Sequence, residues 1–102
     1  MFRSNSKELR QSHIVFSVND EKIGTFGPPV LARNAEEAKR MLAQMAPKSP
    51  VIMSSPSDFR AYQVGAWDDE TGSFEAVKPP VLICTLDAVL PKPDLDPASP
   101  LA

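Results

Sequence analysis

Apolar and polar positions alternate in His13-Ile14-Val15-Phe16-Ser17-Val18, which sets Ile14, Phe16 and Val18 on one face at the two-residue period of a β-strand. Asn19, Asp20, Gly24, Gly27 and Pro28-Pro29 then break regular structure, so residues 19–29 read as a loop with Val30-Leu31-Ala32 a short extended piece beyond it. From Asn34 to Met45 the period changes. Ala35, Ala38, Met41, Leu42 and Met45 recur at spacings of three and four, the signature of an amphipathic helix. Asn34 is suited to cap its first turn, and Glu37 stands three residues on, where it reaches back to complete a capping box. Glu36 and Glu37 near the start, with Lys39 and Arg40 further along, suit the helix dipole, and Pro47 and Pro50 stop the helix.

A Pro/Ser-rich loop follows, and then Phe59 to Trp67, whose residues favour an extended chain. Asp68-Asp69-Glu70-Thr71-Gly72 is a polar turn ending in the residue best suited to a positive φ, and Phe74 to Val77 returns as the second arm of a hairpin. Pro79-Pro80 interrupts before the apolar run Val81 to Leu86, which reads as a last, buried strand. Strand, helix, hairpin and strand in that order predict a small α+β domain. One amphipathic helix packs on a mainly antiparallel sheet.

The ends of the chain are poor in apolar residues. Residues 1–12 read as a flexible arm, residues 13–90 as the single α+β domain, and residues 91–102, with Pro91, Pro93, Pro97 and Pro100, as a flexible proline-rich tail. With 102 residues there is room for one modest core and not for two lobes closing on a substrate. No apolar run approaches the roughly 20 residues needed to span a bilayer, and the N-terminal MFRSNSKELRQS lacks a signal-peptide hydrophobic region. No membrane association and a cytoplasmic location are therefore expected.

The net charge of −2 conceals an asymmetry. Residues 1–60 carry nine Lys and Arg against six acids, whereas residues 61–102 carry only Lys78 and Lys92 against seven. Such a split predicts a bipolar surface with a basic side able to meet phosphate. Catalysis has little to work with. His13 is the sole histidine and Cys84 the sole cysteine, and nothing in their spacing joins them as nucleophile and base. A strand-edge histidine and an inert buried thiol are the simpler readings. One cysteine permits neither an internal disulfide nor a structural zinc site, and the acidic turn 68–72 lacks the ligand spacing of a calcium loop. The scattered glycines match no phosphate-binding or dinucleotide fingerprint, so no cofactor or metal is expected. Aromatic residues interleaved with basic ones are the remaining signal. Phe59, Tyr62, Trp67 or Phe74, if exposed on the sheet, would stack on unpaired bases while Arg33, Lys39, Arg40 and Arg60 met phosphates.

Pro56-x-Asp58-Phe59-x-x-Tyr62-x-Val64-Gly65-x-Trp67-Asp68-Asp69-x-Thr71-Gly72 resembles the small non-structural protein family of microviruses, the single-stranded DNA phages of the gokushovirus type. Phe16-Ser17-Val18-Asn19-Asp20 is similar to that family's opening strand and turn, and Phe26-Gly27-Pro28-Pro29 to its segment ahead of the helix. The likeness covers about residues 14–78 and departs from the family at Met45 to Ser55, in the N-terminal arm and in the tail. It implies a non-enzymatic phage accessory protein of the host cytoplasm that binds single-stranded DNA or assists genome synthesis and packaging. No catalytic residues carry over. On this reading Arg33, Lys39, Arg40 and Arg60 contact phosphates, Tyr62 and Trp67 stack on bases, and phage or host replication and packaging proteins are further partners. The alternative is a protein–protein adaptor that binds a phage or host protein through its sheet edge, its helix or its proline-rich tail. The hairpin edges of a small sheet also leave room for a homo-oligomer.

Overall fold

The structure, a computed structural model, describes residues 13–91. The predicted arm 1–12 and the predicted tail, Pro91 excepted, lie outside the described residues. β1 (His13–Asp20), β2 (Thr25–Phe26), β3 (Val30–Ala32), β4 (Phe59–Asp68) and β5 (Ser73–Thr85) form one antiparallel sheet. Its order is β2-β1-β4-β5, with β3 sharing the β2 side of β1. The helix α1 (Ala35–Met45), a short α2 (Pro50–Ser54) and a single turn α3 (Leu86–Val89) complete a small α+β domain.

β1 runs two residues past the alternating stretch, because Asn19 and Asp20 pair with β2 on one side and with Arg60 and Phe59 on the other. The predicted loop 19–29 thus contains a strand pair, and Val30 to Ala32 is extended as expected. The link from α1 to β4 is also more ordered than its Pro/Ser composition suggests. Two 3-10 turns and α2 occupy it, with Ser49 capping α2 by accepting from the Ile52 N–H at 3.3 Å.

Asn34 caps α1, its side chain accepting from the Glu37 N–H at 2.8 Å. The reciprocal bond is displaced by one residue from a capping box: Glu37 Oε1 accepts from the N–H of Arg33, not of Asn34, at 2.7 Å. The buried stripe of the helix is Ala38, Leu42 and, just past its end, Ala46, with Met41 packed beside it. Ala35 and Met45, expected on the same stripe, are exposed. Lys39 and Arg40 sit mid-helix and the last turn carries no base, so only the N-terminal carboxylates complement the dipole.

The two hairpin turns share one construction. In each, an Asp carboxylate accepts from the N–H two residues on (Lys22 at 3.0 Å to Asp20, Glu70 at 2.9 Å to Asp68). In each, the same Asp carbonyl accepts from a glycine N–H at 2.7 Å, that of Gly24 or Gly72, and both glycines have φ 76°. That positive φ is why glycine closes both turns.

Pro79-Pro80 does not end the return strand. The segment Val77 to Pro80, with a cis Lys78–Pro79 bond, bulges out between the Gly65–Ala76 and Gln63–Val81 pairs, and pairing then resumes to Thr85. An edge strand tolerates this because its outer N–H groups bond nothing in the sheet. The last run is correspondingly less buried than its composition predicts. Val81 and Leu82 are more than half exposed, and only Leu86, the first residue of α3, is fully buried.

Residues directly opposite one another in antiparallel strands share a face. Phe16, Ala32 and Ala61 face α1 and form the core with Ala38, Leu42, Ala46, Ile52, Phe59 and Leu86. Phe59, a candidate stacking residue on sequence grounds, is therefore a core residue at 8 % exposure. The opposite face of the sheet carries no described element. Where β4 crosses that face, Gly65 lies beneath the Phe74 ring, and a Cβ there would stand 2.7 Å from Phe74 Cζ and 2.8 Å from the Glu75 carbonyl oxygen.

Two stability measurements test this description. Asn34→Ala is expected to cost about 1 kcal/mol through loss of the cap, and denaturant unfolding at constant m-value measures it. Gly65→Ala is expected to cost about 1–3 kcal/mol, because the Glu75 backbone cannot swing aside as a side-chain tip can. A melting temperature unchanged by Gly65→Ala would refute the close approach.

Candidate functional site

The register fixes what the uncovered face displays, in four cross-strand ranks. The first sets His13 beside Trp67 and Phe74, and the second Leu31, Val15, Gly65 and Ala76. The third sets Ser17 beside Tyr62 and Leu82, and the fourth Phe26, Asn19, Arg60 and Thr85. Phe26, Tyr62, Trp67 and Phe74 thus stand on one side of the sheet. Phe26 and Phe74 are 47 % and 55 % exposed, and Leu31 and Leu82 are similarly open.

These rings form two stations. Phe26 and Tyr62 meet edge to face with centroids 5.7 Å apart. Phe74 is opposite Trp67 and leans back over Gly65, where the missing side chain leaves room for its ring. The second rank separates the strand positions of Tyr62 and Trp67, whose partners Ser17 and His13 are four residues apart on β1, roughly 14 Å at about 3.4 Å per residue. Ser17, buried beside Tyr62, is satisfied by donating to the Gly27 carbonyl at 2.7 Å.

Arg60 is the one Lys or Arg in these ranks, and its guanidinium is already engaged. Glu21, in the first hairpin turn, places Oε1 3.3 Å from Arg60 Nη1, while its Oε2 accepts from the Tyr62 hydroxyl at 3.3 Å. The structure therefore brings together Arg60, Tyr62, Trp67 and Phe74 of the residues singled out from the sequence, and adds Phe26 and Glu21.

Arg33, Lys39 and Arg40 are elsewhere. Arg33 lies between β3 and α1, and Lys39 and Arg40 ride on α1, in the layer behind the sheet. With Asn34, Glu36 and Glu37, Arg33 and Arg40 line a shallow cleft of about 210 Å³. Two of the three cations are paired locally, Arg33 with Glu37 at 3.6 Å and Lys39 with Glu36 at 3.5 Å. Lys22 pairs with Asp58 at 3.6 Å. Of the six bases described between residues 13 and 60, four thus face a neighbouring carboxylate: Lys22, Arg33, Lys39 and Arg60. Helix spacing put the acids within reach, whereas Glu21 and Arg60 meet only through the β1–β4 register. Phe26 was hidden in the sequence by its place between a turn and Gly27-Pro28-Pro29.

His13 and Cys84 are not partners. His13 belongs to the uncovered face, with Nδ1 3.9 Å from Asp69 Oδ2, whereas Cys84 is paired with Ala61 on the helix side. Burial pushes the Cys84 thiol above its ordinary value, against a smaller opposing effect from the charge of Lys39, so it is protonated near neutrality. Among the described residues no group of three His, Cys, Asp or Glu side chains is placed to hold a metal ion, and no helix is long and apolar enough to cross a membrane.

Comparison with known proteins adds one finding. No curated protein and no solved structure matches the chain. A family model, that of the phage ORF5 protein, matches residues 13–89, from the first residue of β1 to the last of α3. The match takes in the whole sheet, the helix that covers it and the uncovered face with its two aromatic stations, and the chain belongs to the phage ORF5 protein family.

Proposed function

We propose that this phage accessory protein is non-enzymatic and binds single-stranded DNA on the uncovered face of its sheet, serving genome synthesis or packaging of a microvirus-type phage in the host cytoplasm. The observation that carries the reading is the placement of Phe26, Tyr62, Trp67 and Phe74 on one open sheet face beside Arg60. Rings on an open sheet stack on bases without regard to sequence, because every base has a π face, and a neighbouring guanidinium takes the phosphate. Arg33, Lys39 and Arg40 lie behind the sheet and contribute only screened, long-range attraction.

The adaptor reading keeps a specific support: Leu31 and Leu82, 45 % and 52 % exposed, give the same face an apolar component suited to a protein partner. Its edge version is less well supported. Pro28-Pro29 sits beside β3 and Pro79-Pro80 within β5, so both margins of the sheet carry residues that cannot donate to an added strand.

Titration with a labelled single-stranded oligonucleotide at low and moderate salt, followed by anisotropy and by Trp67 emission, tests the proposal. Binding is expected to weaken with salt and to change the Trp67 signal. Tyr62→Ala is expected to weaken it about tenfold, in line with the loss of one stacking contact. Reversing Lys39 and Arg40 to Glu is expected to change affinity far less at moderate salt. No binding at low salt would overturn the single-strand reading and leave the adaptor in its place.

A further inference from the structure

We infer that Glu21 is a built-in competitor for the phosphate position of the open face, which nucleic acid must displace. This rests on the single-strand reading above. Glu21 follows β1 directly, and its backbone N–H donates to the Asp58 carbonyl at 2.9 Å, which ties the turn to the start of β4. From there one carboxylate engages two groups of the face: the Arg60 guanidinium through Oε1 and the Tyr62 hydroxyl through Oε2. These are the donors that a phosphate beside a base stacked on Tyr62 would use. A phosphate has anionic oxygens to offer the guanidinium and the hydroxyl just as this carboxylate does, one to each.

Charge makes the contact consequential. Among the described residues Arg60 is the sole Lys or Arg in the four ranks, and Glu21 neutralises it. The pair is 40 % and 34 % exposed, so water competes with it and it holds weakly. A phosphate can therefore replace the carboxylate, but binding must first break two contacts and expose Glu21 to an approaching anion. Affinity is thereby held below what the rings and an unopposed Arg60 would give, and the charge step favours a polyanion able to outcompete one carboxylate.

The test compares variants of the full chain in the same oligonucleotide titration. Glu21→Gln is expected to tighten binding about two- to fivefold, the equivalent of an exposed ion pair. It is also expected to steepen the slope of log K against log salt by about 0.7, one further phosphate being neutralised. Glu21→Asp keeps the net charge but shortens the side chain by a methylene, and is expected to shift affinity the same way. Asp87→Asn, on the helix side, removes an acid without touching Arg60 and is expected to leave affinity unchanged. The gain from Glu21→Gln should vanish in an Arg60→Gln background. An equal gain from Asp87→Asn, or a gain that survives Arg60→Gln, would assign the effect to net charge and overturn the inference. Wild-type binding that neither Glu21 variant alters would overturn the inference and leave the single-strand reading standing. Failure of wild type and both Glu21 variants to bind at low salt would remove the reading and the inference with it.

Discussion

A sheet has two faces, and the described residues of this chain supply one helix long enough to cover one of them. Most other features of the structure follow from that shortage. Ala38, Ala46 and Ala61 are fully buried at the contact, so α1 sits close to the strands and Phe16, Leu42 and Leu86 fill the remaining space. Nothing comparable among the described residues covers the reverse side. A solvated face of an antiparallel sheet is ordinarily polar. Here it holds four aromatic rings and two leucines, and each large apolar side chain left in water forgoes about 1.5–3 kcal/mol of burial. Their retention on a wet surface is what directs attention to that side of the molecule.

How much of this was legible in the sequence depends on the range of the interaction. Local signals were sound: Asn34 as cap, the period of Ala38, Met41 and Leu42, and the Asp68–Gly72 turn all depend on residues within four or five positions of each other. What needed register was not legible. Phe59 and Tyr62 are both aromatic and three apart on one strand, yet one lies in the core and the other on the open face, because strand faces alternate. The apolar run Val81 to Leu86 reads as buried from composition. Its position at the sheet margin, and the bulge at Lys78 to Pro80, expose its first two residues instead. Charge counting has the same limit, since a tally by halves of the chain cannot show that Lys22, Arg33, Lys39 and Arg60 each face an acid nearby.

The twin turns explain how so few residues hold the strands in register. Asp20 to Gly24 and Asp68 to Gly72 are closed by the same pair of hydrogen bonds at opposite ends of the sheet. The first of them also carries Glu21 to the open face. Val64 is passed over in the pairing with both neighbours, between Val15 and Phe16 on β1 and between Ala76 and Val81 on β5, and this step lets β4 change its facing between the turns, which brings the missing side chain of Gly65 under the Phe74 ring. Local turn chemistry and long-range ring placement are thus coupled through one irregularity of β4, at Val64.

The prolines at the two margins have a consequence for how copies of the molecule can meet. Contact through a strand edge repeats: each added copy presents a fresh edge, and growth has no natural end. Contact through the flat side of a sheet is used up when one partner sits on it. With Pro28-Pro29 on one margin and Pro79-Pro80 on the other, the fold obstructs the route that propagates and keeps open the one that closes. At those positions the margins have no N–H to offer an added strand, and open-ended growth along them is disfavoured.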